Sequence, residues 1–373
     1  MAFAVRAEHD ALRDSVRAFL ADTAPEAEVR RLMDDARGHD PDVWARMSTQ
    51  LGPPGLIVPE TYGGAGYGHA ELGIVMEEMG RALAPAPLFA SVALAANLLL
   101  SCADDDACAS YLPGIAAGTT LATVALTERA GRWDEGGVIC AAARVDGAWR
   151  LTGEKTYVVD GHAADLILVV ARGPSGIGVF AVDGAAPGLS RMPLTVLDRT
   201  RKQARLTFDA TPARRIGVDG DGWPAVARML DLAAVALAAE QAGGGARVLE
   251  MAVEYAKTRM QFGRPIGSFQ AIKHMCADML LEVESMTSAA RYAAGAADAG
   301  DTELPAVASL AKFACSDSYV QVAATNIQVH GGIGFTWEHP AHLYLRRART
   351  DAQLLGDPAY HRERYLRHIE GER

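Results

Sequence analysis

Apolar residues recur at helical spacing from Ala7 to about Ala117, with Leu12, Val16, Phe19 and Leu20 on one stripe and alanine abundant throughout. This pattern predicts an all-α segment. A Gly-rich stretch from Pro59 to Gly68 interrupts it, and the helical period resumes at Leu72, Val75, Met76 and Met79. Between about Leu121 and Val218 the period changes to two. Val138–Val145 and Trp149–Leu151 flank Asp146-Gly147, a two-residue hairpin signal, and Ala164–Ala171 is placed to pair with Ile177–Val182 across Gly173–Gly176. An antiparallel β domain is predicted, and no strand–helix alternation supports a parallel doubly wound sheet.

After Gly222 long helices return. One is predicted from Ala225 to about Gln261, where Gly243-Gly244-Gly245 lower helix propensity and point to close approach of a neighbouring backbone. Ser268 is the expected cap of the next, whose Ile272, Met275, Cys276, Met279, Leu280 and Val283 form one apolar stripe. A third runs from Leu304, with Pro305 in its first turn, to Gly331-Gly332. Two more cover Ala341–Ala348 and Pro358–Ile369, completing a bundle of antiparallel helices. The predicted organisation is mainly α with a central β domain: a helical domain over 1–120, an antiparallel barrel-like β domain over 121–222 and a helical bundle over 223–373.

Charge and cysteine usage narrow the chemistry. The 36 Lys and Arg against 46 Asp and Glu leave a net charge of −10, which offers no electrostatic footprint for nucleic acid or an anionic membrane. The longest apolar runs, such as Ser91–Leu100, are too short to span a bilayer, and Glu8 and Asp10 break any signal peptide. Five scattered cysteines without a CxxC pair argue against a disulfide framework or a zinc ribbon, and predict buried thiols in a reducing cytoplasm. No metal site is expected: His339 and His342 lie three apart but Pro340 stands between them, and they are read as surface or interface residues. Neither Gly64-Ala-Gly66 nor Gly332-Ile-Gly334 continues as a dinucleotide fingerprint, and no Gly-x-Ser-x-Gly elbow occurs.

Three segments pair polar anchors with small or aromatic residues. Arg259-Met-Gln261-Phe262-Gly263-Arg-Pro265-Ile266 and, beyond it, Phe269-Gln270 read equally as a plugged helix end and as a donor fork for a pyrophosphate. Gln328-Val-His330-Gly331-Gly332-Ile-Gly334 holds more glycine than a C-cap needs, which suits close backbone approach to a ligand. Leu126-Thr127-Glu128 leaves one strand, and Gly153-Glu-Lys155-Thr-Tyr157-Val158-Val159 lies on a later one.

Together with Pro59-Glu60-x-Tyr62-Gly63-Gly64, these motifs and their order resemble the acyl-CoA dehydrogenases over essentially the whole chain. The resemblance implies a flavoprotein in which a glutamate removes the α-proton of an acyl-CoA thioester while the β-carbon passes hydride to N5 of FAD. It implies a flavin shared between two chains: the ring held by the Thr-Glu and Lys-x-aromatic strands of one subunit, the ADP half by the Arg-x-Gln-Phe-Gly and Gln-x-x-Gly-Gly motifs of its neighbour. By that correspondence Arg259, Gln261, Phe262, Gln270, Gln328, Gly331 and Gly332 form an intact half offered to a neighbour's FAD, and Leu126, Thr127, Tyr157 and Val159 form the half facing the chain's own.

That second half departs from the family. Arg129-Ala-Gly131-Arg132-Trp133-Asp134 stands where Pro-x-x-Gly-Ser-Asp is usual, so the serine is lost and bulk is added, and Val159 replaces a Thr or Ser. The general base is missing from both places where the family carries it. Gly356 occupies the C-terminal site in Leu354-Leu355-Gly356-Asp357-Pro358, and Ala233, followed by Ala234, occupies the alternative after Leu230-Asp231-Leu232. Glu240 is expected to be a structural carboxylate paired with a bundle Arg or Lys, and Asp357 is a short, backbone-restrained substitute for a base. No catalytic residue is assigned.

The resulting expectation is a non-catalytic partner subunit of an α2β2 acyl-CoA dehydrogenase, resembling those acting on sterol side chains. It would complete the FAD site of a second acyl-CoA dehydrogenase-type chain that works with an acyl-CoA substrate and an electron acceptor. A self-sufficient homotetramer with an unassigned base, and a non-redox CoA-thioester-binding or structural member, are the alternatives.

Overall fold

The computed structural model describes residues 7–371. In chain order the helices are α1 (Ala7–Thr23), α2 (Glu26–Asp34), α3 (Pro41–Gln50), α4 (His69–Ala82), a π-helix (Phe89–Ala96), α5 (Asn97–Ser101) and α6 (Asp105–Ala116). The strands β1 (Ala122–Ala125), β2 (Ala141–Val145), β3 (Ala148–Val159), β4 (Leu166–Gly173), β5 (Gly176–Asp183), β6 (Leu189–Pro193) and β7 (Gln203–Ile216) follow. The remainder is α7 (Trp223–Thr258), the small strands β8 (Met260–Gln261) and β9 (Arg264–Pro265), α8 (Gln270–Asp298), α9 (Leu304–His330), α10 (Ala341–Gln353) and α11 (Pro358–Ile369). Two compact units result, one from the described parts of Met1–Arg30, His69–Ala84 and Ala234–Arg373, the other from Arg31–Gly68 and Pro85–Ala233.

In the second unit β4, β2, β3, β7 and β5 close into a ring, because β5 pairs with both β7 and β4, while β1 and β6 attach outside it. Both hairpins expected from the sequence form. Val145 faces Ala148 across Asp146 (φ 50°) and Gly147 (φ 81°), the left-handed pair that a tight two-residue turn requires. Gly173 faces Gly176 in β4–β5. The antiparallel expectation fails in two places: β1 runs parallel to β4, Ala122 opposite Leu166, and β2 meets β4 in parallel at Ala141 and Arg172. Parallel pairing needs a long crossover, and residues 126–165 supply it by way of a loop and the β2–β3 hairpin. Inside the ring Leu151, Ile167, Val169, Phe180, Leu206 and Phe208 are packed with almost no exposure.

The other unit is helical. Here the triple glycine of α7 has the role its sequence suggested. A Cβ at Gly243 would stand 1.8 Å from the Glu77 carbonyl oxygen, and one at Gly80 2.0 Å from that of Glu240, so α4 and α7 touch backbone to backbone. Gly244 makes room in the same way for the buried Tyr319 hydroxyl, 2.4 Å from where its Cβ would be. Pro305 lies in the first turn of α9, and Gly331 (φ 61°) ends it. The cap of α8 differs from expectation. Its N-cap is Phe269 without a side-chain bond, because Ser268 is taken into a 3-10 turn, Ile266–Ser268. The α8 stripe is also less buried than expected: Met279 and Val283 are covered, whereas Leu280 is exposed. Helix α7 ends at Thr258, three residues early, because Met260–Gln261 pairs with Arg264–Pro265.

Replacing Gly243 by Ala must force α4 and α7 apart, and overpacking of this kind costs about 1–3 kcal/mol. Gly295 in α8 has open space around its Cβ position, so Gly295→Ala should instead raise stability by roughly 0.5–1 kcal/mol through helix propensity. Urea denaturation of the two variants checks the opposite signs.

Candidate functional site

The three motif groups meet different fates. Leu126 and Thr127 leave β1 and are buried. The Thr127 hydroxyl donates to the Thr156 carbonyl at 2.7 Å, and the Thr156 amide donates to the Thr127 carbonyl at 2.9 Å. Beside them Glu128 Oε1 accepts from Lys155 Nζ at 2.7 Å and from the amides of Ile139 and Cys140 at 2.9 and 2.8 Å. Lys155 Nζ also donates to the Leu126 carbonyl at 2.9 Å. This buried pair pins the return of the 129–140 loop to the barrel. Breaking one partner of such a pair costs about 3–5 kcal/mol, since the other charge is left stranded.

Further along β3, the register slips between Lys155 and Val158, and the bulge puts Tyr157 at φ 57° with its ring 49 % exposed. Val159 is buried and offers only its carbonyl, which accepts from the Thr123 hydroxyl at 2.6 Å. In the loop, Arg132 pairs with Asp134 at 2.7 Å and lies against Gly137, whose Cβ would meet Arg132 Cβ at 2.7 Å. Its guanidinium is thus folded onto its own turn. The Thr123 and Thr127 hydroxyls of this region are spent inside the chain.

The other motifs lie in the helical unit and stand open. After α7 the β8–β9 hairpin turns through Phe262 (φ 54°) and Gly263 (φ 76°), which leaves the Phe262 ring 89 % exposed. Arg264 stacks over Phe269, 4.1 Å from its ring centre, and braces the hairpin. Arg259, Gln261 and Gln328 are exposed, with no side-chain partner among the described residues, and Gln270 reaches only His274 Nε2, at 3.3 Å. The α9 terminus lies beside the end of α7. Tyr255, whose carbonyl accepts from the Arg259 amide at 2.8 Å, stacks on His330 at 4.3 Å, and His330 stacks on His339 at the same distance. Gly331 needs its positive φ, but Gly332 does not, and nothing approaches within 4 Å of where its Cβ would be. Among the described residues no contact demands glycine there.

The positions where a base was sought are closed. Gly356 has φ 107°, and a Cβ on it would meet Tyr360 Cδ1 at 2.4 Å. Three groups hold that turn: Lys312 Nζ donates to the Gly356 carbonyl at 3.2 Å, His361 Nε2 donates to the Leu355 carbonyl at 3.0 Å, and Asp357 caps α11 by accepting from the Tyr360 amide at 2.8 Å. Ala233 is fully buried. Glu240 is buried against Arg347 of α10 in an ion pair, as expected of a structural carboxylate.

Sequence reading did not single out Lys312, Tyr360 or Arg347. The one available signal was a lone lysine in the apolar run Leu310-Ala-Lys312-Phe313. Burial pulls the Lys312 ammonium down to about 8. His342 is buried rather than superficial, its imidazole pulled down to about 4 by burial and by Arg346. Among the described residues no group of three or more His, Cys, Asp or Glu could hold a metal, and no helix is long and apolar enough to cross a membrane. Cys108, Cys140 and Cys315 are buried, Cys102 and Cys276 half-buried, and all five are free.

A helical N-terminal region, a central β barrel and a helical C-terminal bundle carrying these motifs define a class of flavin-linked oxidoreductase folds. The chain belongs to the acyl-CoA dehydrogenase family: its N-terminal domain matches over residues 6–119, its middle domain over 123–211 and its C-terminal domain over 220–370. It is 37 % identical over 365 residues to the acyl-CoA dehydrogenase IpdE2 of Mycobacterium tuberculosis, spanning 98 % of this chain and 97 % of that one. Among solved structures, a Tcur3481–Tcur3483 steroid ACAD variant superposes with TM-score 0.88 at 33 % identity, covering 98 % of each chain. The ChsE4–ChsE5 complex of Mycobacterium tuberculosis gives TM-score 0.90 at 28 % identity, covering 99 % of each.

The family is generally FAD-dependent, and the residues present fit that cofactor unevenly. The open donors and bare glycine backbone of the helical unit suit a dinucleotide, whereas in the β unit the Thr127 hydroxyl is committed to the Thr156 carbonyl and Val159 brings none.

Two outcomes follow. Gly356→Glu should lose about 1–3 kcal/mol of stability through backbone strain and the Tyr360 contact. It should gain no α-proton exchange with an acyl-CoA, as read by deuterium incorporation. For Lys312 the folded pKa is depressed, so the unfolded chain binds more protons between about 8 and the usual lysine value of 10.5. Stability should therefore rise with pH through that window, by on the order of 2–3 kcal/mol in total. Lys312→Met, less stable at pH 7, should lack that rise in denaturation measured from pH 7.5 to 10.

Proposed function

We propose that this chain is the non-catalytic partner subunit of a heteromeric FAD-dependent acyl-CoA dehydrogenase, in which it completes the flavin site of a catalytic subunit. FAD bound there supplies hydride acceptance in the 2,3-dehydrogenation of an acyl-CoA thioester. This chain's part is positional. Arg259 gives a planar fork of donors to the pyrophosphate, Gln261, Gln270 and Gln328 add amide contacts, and Gly331-Gly332 admits the dinucleotide against bare backbone. Leu126, Thr127, Tyr157 and Val159 are the remnant of the chain's own half-site, which stays without flavin. The substrate class is sterol side-chain CoA esters, and the reduced flavin passes its electrons to an external acceptor. We retain 1–120, 121–222 and 223–373 as the domain bounds.

The observation that carries this reading is the contrast between the two halves. Arg259, Gln261 and Gln328 have no side-chain partner among the described residues, while Thr127 is bonded to the Thr156 backbone and Glu128 and Lys155 to each other and to nearby backbone. The steroid ACAD and ChsE4–ChsE5 neighbours support a heteromeric assembly and a sterol-like acyl group.

Flavin counting tests it. Co-expressed with an acyl-CoA dehydrogenase-type partner, the α2β2 complex should hold two FAD per four chains, and this chain alone should be colourless. Arg259→Ala should lower flavin occupancy at limiting FAD. A tetramer with four FAD, one FAD per chain in the isolated protein, or unchanged occupancy in the variant would overturn it.

A further inference from the structure

A cavity of about 370 Å3 opens in the helical unit where α1, α2, α4, α7 and α10 converge. None of the flavin motifs lines it. Its apolar wall includes Leu20, Leu83, Met251 and Leu343, and its polar wall holds Arg17, Arg81, Arg247, Glu26 and Glu78. A volume of this size suits a small organic ligand with an apolar body and a few polar anchors.

The charges decide which ligand. Arg17 forks onto Glu78 at 2.9 and 2.7 Å, and Arg13 reaches the same carboxylate at 3.6 Å while also pairing with Glu77. Glu26 is occupied by Arg30 at 2.7 Å. Arg81 forks onto Glu250, with Nη1 at 2.7 Å, and Arg247 Nη1 reaches that same carboxylate at 3.3 Å. Five guanidinium groups, of Arg13, Arg17, Arg30, Arg81 and Arg247, thus share four carboxylates, those of Glu26, Glu77, Glu78 and Glu250. The looser contacts of Glu254 with Arg247 at 4.0 Å and of Arg291 with Glu77 at 3.7 Å add one charge of each sign. Asp14, whose charge acts on Arg17, balances that wider account, but the lining of the cavity itself holds three arginines, Arg17, Arg81 and Arg247, against two carboxylates, Glu26 and Glu78, which leaves one positive charge over.

The surplus falls on Arg247. It has second claim on Glu250 and only a loose contact with Glu254 at 4.0 Å, and its remaining neighbour, the Tyr344 hydroxyl, already donates to the Arg81 carbonyl at 2.7 Å. Most of its five donors are uncommitted.

We propose that this cavity binds a small organic carboxylate, its charged end accepting from Arg247 and its apolar body lying against Leu20, Leu83, Met251 and Leu343. A neutral ligand of the same shape would fill the apolar wall and leave the guanidinium unpaired, so discrimination rests on the charge.

Isothermal titration of the full-length protein with 2-naphthoate, beside the uncharged 2-naphthalenemethanol, tests the proposal. Saturable one-to-one binding of the carboxylate is expected, with the alcohol at least about tenfold weaker. Arg247→Gln should weaken 2-naphthoate by about tenfold or more and leave the alcohol unchanged. Ala21→Trp, or Ala24→Trp if the first does not fold, places an indole in the cavity and should abolish binding of both. No saturable binding, equal affinity for acid and alcohol, or binding that survives in both Arg247→Gln and the tryptophan variant would each overturn it. The readout needs no flavin and no second subunit, so its failure is separable from failure of the partner-subunit reading.

Discussion

The helical unit depends on how closely α4 and α7 can approach. With Gly80 facing the Glu240 carbonyl and Gly243 facing that of Glu77, the two backbones meet without side chains between them. Close packing at this density transmits position: a shift of one helix by a methyl group would move everything attached to the other. Three ionic contacts hang on that crossing. Glu240 reaches Arg347 of α10, Arg81 of α4 reaches Glu250 of α7, and Glu78 of α4 reaches Arg17 of α1. Arg81, Glu78 and Arg17 of the last two pairs line the arginine-rich cavity.

Ion pairing in this unit is graded by burial, and the grade decides what each pair does. Glu240–Arg347 and the carbonyl cage around Lys312 are buried, so removing either partner would leave a polar group with no water to turn to. Such groups fix a unique arrangement of helix ends. The pairs at Arg17, Arg81 and Arg247 are half-exposed and contribute less apiece. Their unequal sharing of carboxylates leaves donors over.

The same economy of donors separates the two flavin motif groups. In the β unit, Lys155 and Glu128 close on one another, Thr127 closes on the Thr156 backbone, and Val159 supplies no hydroxyl. In the helical unit the Tyr255–His330–His339 stack holds the ends of α7 and α9 together, and the donors beyond them point to solvent. The turn at Leu354–Asp357 is held by Lys312 and His361, which bond the carbonyls of Gly356 and Leu355. Those bonds depend little on which side chain position 356 carries, because they fall on backbone atoms that any residue provides.

Much of this was legible in the order of residues. The change of period at Leu121 and again after Gly222 marked the three segments, Asp146-Gly147 and Gly173–Gly176 marked the hairpins, and Pro305 and Gly331 bounded α9, because turn chemistry and helix ends are local. The triple glycine announced a close backbone approach without naming the partner. Motif spacing singled out Arg259, Gln328 and Gly356 as candidate positions, since that depends on residue identity alone. Only the tertiary structure decided the parallel pairing of β1 with β4, the loss of Ser268 as a cap and the burial of His342, each settled by neighbours far away in sequence. The same holds for Lys155 with Glu128, Arg347 with Glu240, and Tyr360 against Gly356. Whether a polar side chain is spent or spare depends on what folds against it, and that is a property of the packed chain rather than of any segment of it.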